Sequence, residues 1–233
     1  MHAALDFVNG MNRRGALRSL ARFARPGFAL TLSLYGRMTL AGAQAEEDLA
    51  DAVLNAMRAT LRSDQPPEPV FSDTAGRVAY LRWKIEMNAR LKLRNTDLTS
   101  LQQRDEFLQT VWYNAKRAGL DVDLILGLIQ VESNFRRHAI SSAGARGYMQ
   151  VMPFWTRVLA DGDAAVLFHT ATNLRYGCVI LRHYLDQESG NLFMALGRYN
   201  GSRGQSRYPD AVMQAARSWW FQTAPDRRTG EPA

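Results

Sequence analysis

The stretch Leu124-Ile125-Leu126-Gly127-Leu128-Ile129-Gln130-Val131-Glu132 is apolar nearly all round. A helix without a polar face belongs inside a core, and the run is entered through Asp121 or Asp123, both suited to a helix start. Glu132 stands three residues after Ile129 and seven after Ile125. A 3.6-residue period therefore sets its carboxyl on the same stripe as those isoleucines. Desolvation disfavours the ionised form, so a carboxyl placed there holds its proton near neutral pH and suits a general acid. From the helix alone the favoured reading is the other role, a helix-end glutamate paired with Arg136 or Arg137.

The residues downstream bear on that choice. Ser141-Ser142-Ala143-Gly144-Ala145-Arg146-Gly147 is a loop of small residues whose glycines permit positive φ and close backbone approach. It lacks the Gly-Lys-Ser/Thr ending and the preceding strand of a phosphate loop. Tyr148-Met149-Gln150-Val151-Met152-Pro153 adds flat or flexible apolar surface and one amide, which suits a sugar face as well as it suits a core.

Outward from this centre the pattern stays helical. Ser100-x-x-Gln103 has the form of a capping box ahead of Phe107, Leu108, Val111, Trp112 and Ala115, a stripe that stops at Gly119. Residues 75–94 carry Val78, Leu81, Ile85 and Trp83, Met87, Leu91 at helical spacing, with Arg82, Lys84, Arg90 and Lys92 as a solvated basic face. Residues 48–61 form a further short helix, followed by the breaker-rich linker 62–69. Helical runs recur at 173–186, 192–199 and 208–220, and no alternating strand run is long enough for a sheet-based fold.

The formal charge of +7 invites a polyanion partner, but its distribution argues against nucleic acid. Residues 1–45 hold six arginines and one acid, leaving 23 bases and 21 acids in the rest. That first segment has the pattern of a cleavable export signal: an arginine-rich start, an apolar run from Phe28 to Tyr35, and Ala43-Gln44-Ala45 before Glu46-Glu47-Asp48. Cleavage after Ala45 and a periplasmic or exported location are the expectation. Cys178, the single cysteine, excludes an internal disulfide and reads as a packed hydrophobe. The four histidines make no ligand pair at helical spacing, so neither a metal nor a cofactor is expected.

Four blocks in order carry a resemblance: Glu132-Ser133-x-Phe135; Ala139-x-Ser141-x-x-Gly144-Ala145-x-Gly147-x-Met149-Gln150-x-Met152-Pro153; Asn173-x-x-Tyr176-Gly177; and Tyr199-Asn200-Gly201. They resemble the catalytic domain of the soluble lytic transglycosylase (SLT) family, a relative of goose-type lysozyme. The resemblance implies a mainly α, lysozyme-like α+β domain with a small loop and hairpin region, preceded by a helical extension. The resemblance covers about Phe107 to Trp219; together with the patterns read above, the expected organisation is residues 1–45 as signal peptide, 46–74 as helix and proline-rich linker, 75–221 as the catalytic domain with its motifs in 107–219, and 222–233 as a flexible tail. Glu132 then aligns with the family's catalytic acid/base and Ser141 with the serine on the substrate's N-acetyl side. Gln150 and Met152 align with groove residues, and Tyr199 and Asn200 with the pair beside the glutamate. Tyr148 replaces the usual leucine and Gly197-Arg198 precedes Tyr199 where small alanines are common, departures that bear on substrate preference.

The resemblance further implies cleavage of the β-1,4 bond between N-acetylmuramic acid and N-acetylglucosamine in peptidoglycan, leaving 1,6-anhydromuramoyl ends. Ordinary glycoside hydrolysis uses two carboxylates roughly 5–9.5 Å apart. The sequence offers no obvious second one, since Asp121 and Asp123 lie roughly 13–16 Å up the same helix and Asp161 and Asp163 fall in an unplaced loop. The alternatives are a muramidase on the same fold and a non-catalytic peptidoglycan-binding part of a secretion, conjugation or pilus machine. Ser141→Ala is expected to leave the loop intact, on the premise that its backbone does not depend on the hydroxyl.

Overall fold

The structure, a computed structural model, describes Gln44, Leu49 and residues 51–61, 69–94 and 96–219. The expected signal peptide apart from Gln44, most of the linker, and the tail 222–233 lie outside the described residues.

Eight α-helices and one 3-10 turn carry the described chain: α1 (Asp51–Leu61), α2 (Thr74–Lys92), α3 (Leu101–Arg117), α4 (Val122–Ser133), α5 (Phe154–Leu159), the 3-10 turn Ala164–Phe168, α6 (Thr170–Gln187), α7 (Leu192–Asn200) and α8 (Arg207–Arg217). Strand structure is limited, among the described residues, to bridges between Ile140 and Arg146 and between Arg146 and Val151. The mainly helical architecture with a small hairpin-like loop is thus as the sequence predicts. Sequence periodicity missed α5 and the 3-10 turn because six and five residues are too few to show a period.

α4 is the central helix, with Leu124 through Ile129 all buried. It packs closely along α8 at Gly127, where a Cβ would stand 2.4 Å from the Ala216 backbone nitrogen. A mid-helix glycine costs roughly 1 kcal/mol against alanine; here it lets the two backbones approach. α3 begins with the predicted capping box, Gln103 N–H donating to Ser100 Oγ and Ser100 N–H to Gln103 Oε1, both at 3.0 Å.

On α2 only one of the two expected stripes is buried. Tyr80, Trp83, Met87 and Leu91 face the core, whereas Val78, Leu81 and Ile85 are exposed, Ile85 by 71%. A nineteen-residue helix whose main neighbour is α3 buries a single stripe. α1 packs on α5 and α6 and contributes Met57 to the core.

A buried polar network joins α2, α3 and the loop between them. Arg104, 6% exposed, donates from Nε to Asn88 Oδ1 (2.8 Å) and from Nη1 to the carbonyls of Leu98 (3.1 Å) and Thr99 (2.8 Å). Asn88 Nδ2 in turn donates to Asp105 Oδ1 at 2.8 Å. The loop carrying Asp97 is anchored by these bonds.

Candidate active site

α4 ends one residue beyond Glu132, and the way it ends fixes what the glutamate faces. Asn134 and Phe135 follow with φ of 49° and 59°, two consecutive left-handed residues that stop the helix and turn the chain. Phe135 enters the core fully buried, against Phe107 and Trp219. Ser133 Oγ donates back to the Ile129 carbonyl at 3.2 Å.

Glu132 is 2% exposed. Its Oε1 accepts a short hydrogen bond from the hydroxyl of Tyr208, itself buried, at the start of α8. Its Oε2 is buried and has no hydrogen-bond partner among the described residues. Burial pushes the carboxyl from its ordinary 4.5 up to about 8, with the Tyr208 hydrogen bond pulling the other way. The Arg136 or Arg137 pairing is not formed: Arg136 Nε donates to the Ser133 carbonyl (3.1 Å) and Arg137 Nε to that of Phe168 (2.8 Å). An uncharged acid at neutral pH, with one oxygen fixed and the other uncommitted, is equipped to give a proton to a bound oxygen.

The glutamate lines a cavity of about 340 Å³ with Asp97, Arg136, His138, Ala139, Ile140 and Gln150. Asp97 is a carboxylate that sequence reasoning overlooks: the sequence offers no obvious second one, yet Asp97 lines the cavity with Glu132. It lies in a polar loop well ahead of the motifs, where only tertiary folding brings it to the cavity. There its Oδ2 accepts the Arg137 N–H at 3.0 Å.

The other expected residues take places that their types alone could not reveal. Gln150 lines the cavity, but its Nε2 donates to the carbonyls of Gly147 (2.8 Å) and Ala139 (3.1 Å), and its φ is 49°. Ser141 Oγ accepts the Ala145 N–H at 3.0 Å, so the loop backbone does depend on that hydroxyl, which corrects the premise drawn from the sequence. Tyr199 is fully buried and donates its hydroxyl to the Met149 carbonyl at 2.8 Å. Burial raises the Tyr199 phenol well above its ordinary range, and the nearby charge of Glu132 adds to the effect.

The Met152 N–H points to Gln44 Oε1 (3.3 Å), which also accepts from Trp155 Nε1 at 2.9 Å. Asn200 is half-buried at the end of α7. Tyr148 lies against Phe107, its rings 4.9 Å apart, and lines a neighbouring cavity instead of that of Glu132.

Asn173 explains the third sequence block. Its Oδ1 accepts the Met149 N–H (2.8 Å) and its Nδ2 donates to the carbonyls of Arg146 (2.9 Å) and Leu167 (2.8 Å). Gly147, at φ 76°, has no room for a Cβ, which would meet Asn173 Nδ2 at 2.3 Å. At Gly177 a Cβ would meet Met149 Sδ at 2.3 Å. At the first of the departures before Tyr199, a Cβ on Gly197 would stand 2.9 Å from Arg203 Cα. Arg198, the second, pairs with Glu188. No group of three or more His, Cys, Asp or Glu arranged for a metal occurs among the described residues, and Cys178 is buried with its thiol pushed upward by burial.

The site is thus a buried carboxylic acid beside a loop locked by Asn173, Gln150 and Tyr199. Residues 109–218 match the family described as Transglycosylase SLT domain. Similar proteins include a membrane-bound lytic murein transglycosylase C of Actinobacillus pleuropneumoniae serotype 5b, 37% identical over 90 residues, 35% of this chain and 25% of that protein. A protein of the same description from Haemophilus ducreyi is 34% identical over 114 residues, 42% of this chain and 31% of that one. A transglycosylase of Enterobacteria phage PRD1 is 29% identical over 116 residues, 47% of this chain and 42% of that one. The chain thus spans between 25% and 42% of the length of these relatives. Among solved structures, an inactive mutant of the lytic transglycosylase Slt from Pseudomonas aeruginosa aligns over 79% of this chain and 36% of its own, at 21% identity and a TM-score of 0.39.

Proposed function

We propose that this chain is a lytic transglycosylase that cleaves the β-1,4 bond between N-acetylmuramic acid and N-acetylglucosamine in peptidoglycan, with Glu132 as acid and then base. The observation that carries the reading is Glu132 itself: a buried carboxyl, pushed to about 8, with Oε2 uncommitted at a cavity. The proton on Glu132 passes to the glycosidic oxygen as the C1–O bond breaks. The substrate's own N-acetyl group supports the oxocarbenium-like centre. The glutamate, now ionised, takes the proton of the C6 hydroxyl, whose oxygen bonds to C1. The glutamic acid is regenerated, no water is consumed, and the product ends in a 1,6-anhydro ring. A single group serves both steps because its pKa lies near operating pH.

Asp97 in the same cavity favours one competing reading, a hydrolase in which a second carboxylate orients water. Mass spectrometry of digested sacculi separates the two, because anhydro-ended muropeptides are lighter by one water than reducing-ended ones. Anhydro ends are expected; reducing ends alone would make the enzyme a muramidase.

Export with cleavage after Ala45 is part of the same proposal, supported by the arginine-rich start and the Ala43-Gln44-Ala45 site. Such cleavage removes Gln44, and with it the acceptor for Trp155 Nε1 and the Met152 N–H. N-terminal sequencing of the periplasmic protein is expected to begin at Glu46; a chain retaining Gln44 would overturn this cleavage site.

A further inference from the structure

A cavity of about 710 Å³ lies at the start of α4 and shares no lining residue with that of Glu132. Leu124, in its wall, and Glu132 stand eight residues apart on α4, roughly 12 Å along the axis at 1.5 Å per residue. The other walls come from Trp83 on α2, Trp112 on α3, Leu192 on α7 and Met213 on α8, with the exposed Asp121 at the rim. Lys116 Nζ, 5.1 Å from the centroid of the Trp112 ring, and the Trp83 ring at 4.8 Å hold that indole in place.

Packing does not account for two of these groups. Trp83 is 2% exposed, yet its indole N–H has no acceptor among the described residues. Asp121 precedes α4 without making a side-chain capping hydrogen bond, although an aspartate at that position commonly caps. A buried donor left unpaired is a cost that a core has no reason to carry, and it is relieved when a ligand brings an acceptor.

An apolar wall, one buried donor and one carboxylate at the rim together define a ligand class. An alkyl or acyl chain fits the wall of Leu124, Leu192 and Met213 but brings no acceptor. An acetamido group brings a methyl for that wall, a carbonyl for the Trp83 N–H and an N–H for the Asp121 carboxylate. Cavities of roughly 300–1,000 Å³ hold small ligands, and a sugar ring with its acetamido group is one. We propose that this cavity is a second glycan site, which binds an N-acetylated hexose of peptidoglycan away from the point of cleavage. This rests on the transglycosylase reading, whose substrate repeats an acetamido group on every sugar. The effect is anchorage: an enzyme held on a polymer at one site meets bonds at the other at a raised effective concentration.

The probe is a tetramer of N-acetylglucosamine, titrated into Glu132→Gln, which leaves it uncut, and followed by NMR of the five tryptophan indoles. The Trp83 signal is identified by its loss in Trp83→Phe, which keeps an aromatic ring in the core and removes the donor. Its indole proton is expected to move downfield as it gains an acceptor. Asp121→Ala is expected to weaken that binding about fivefold, as suits one hydrogen bond. In the otherwise native enzyme, Trp83→Phe and Asp121→Ala are each expected to raise KM on sacculi about fivefold with little change in kcat. On a soluble tetrasaccharide, which has no length left to anchor once it fills the cavity at Glu132, the rise is expected to vanish.

A Trp83 indole signal that the tetramer leaves in place, or an equal rise in KM on sacculi and tetrasaccharide, would overturn the second site while leaving the transglycosylase reading intact. A downfield shift that weakens in Asp121→Ala, in a protein whose wild type cleaves neither substrate, would uphold the site and overturn the reaction.

Discussion

Arg104 and Glu132 are both ionisable side chains taken out of water, 6% and 2% exposed, and the fold treats them in opposite ways. Arg104 is met by three oxygen acceptors, from Asn88, Leu98 and Thr99, so its charge is kept and dispersed. Glu132 is met by one donor, Tyr208, and its second oxygen is left without a partner among the described residues. The first arrangement ties two helices and a loop together. The second stores a desolvation cost at a cavity wall, which is rational only where something else comes to bond that oxygen.

Removing the acid gives the largest expected effect. Glu132→Gln keeps the size and a hydrogen-bonding edge but has no proton to give or take, so glycan cleavage is expected to fall at least roughly a thousandfold. Stability is expected to move the other way, with a definite pH dependence. The folded-state pKa of about 8 lies above the ordinary 4.5 of an unfolded chain. Below 4.5 the wild type is neutral in both states and its full stability is present. As pH rises toward 8 the unfolded chain ionises first, and stability is lost at up to about 1.4 kcal/mol per pH unit. Thermal melts of wild type and variant are therefore expected to agree best near pH 4 and to diverge, in favour of the glutamine, by a few kcal/mol near pH 8. A variant less stable at pH 8 would mean that the carboxylate is a structural partner after all.

The opposite pattern is expected at Arg104. Arg104→Met leaves Asn88 Oδ1 and two carbonyls without their donor and is expected to cost about 3 kcal/mol of stability. Cleavage measured well below the melting point is expected to fall less than tenfold, through the loosened Asp97 loop. A loss as large as that of Glu132→Gln would erase the distinction between the two sites.

Tyr208→Phe sharpens the comparison by making Glu132 lonelier still. The hydrogen bond from Tyr208 favours the ionised carboxylate, so its loss is expected to raise the pKa further and move the alkaline limb of the activity profile upward. Turnover near neutral pH is expected to fall roughly tenfold, because Oε1 is no longer held. An alkaline limb that stays in place would show that Tyr208 does not govern the titration of Glu132.

These differences separate what the sequence made legible from what it did not. Glu132 stood out because one carboxylate on an apolar stripe breaks a regular pattern, and α4 could be read from the same stripe. Tyr208 gave no such signal, since a tyrosine on the apolar face of α8 looks like any core aromatic. Asp97 was hidden in a polar loop outside the motifs. Gln150, Ser141 and Tyr199 were found, but an amide or hydroxyl does not announce its partner. The structure turns all three toward backbone groups of the loop, where they hold the wall of the site.

Ser141→Ala gives the smallest expected effect and tests that last distinction. The hydroxyl oxygen accepts the Ala145 N–H at 3.0 Å, so alanine leaves a buried donor with no acceptor, a cost of about 1 kcal/mol. Two backbone bonds still close the loop, Ser141 N–H to the Ala145 carbonyl and Gly144 N–H to that of Ser141, both at 3.0 Å. The variant is therefore expected to fold with a melting temperature lower by only a few degrees, about 2–4 °C for a chain of this size. The hydroxyl proton is not needed for the bond to Ala145 and remains available to a substrate acetamido group. If it acts there, kcat/KM falls ten- to a hundredfold in addition, since a donor at developing charge is worth about 1.4–3 kcal/mol. Ser141→Thr, which keeps the hydroxyl, is then expected to recover most of the activity. A lowered melt with wild-type turnover would instead assign Ser141 wholly to the loop, beside Gln150 and Tyr199.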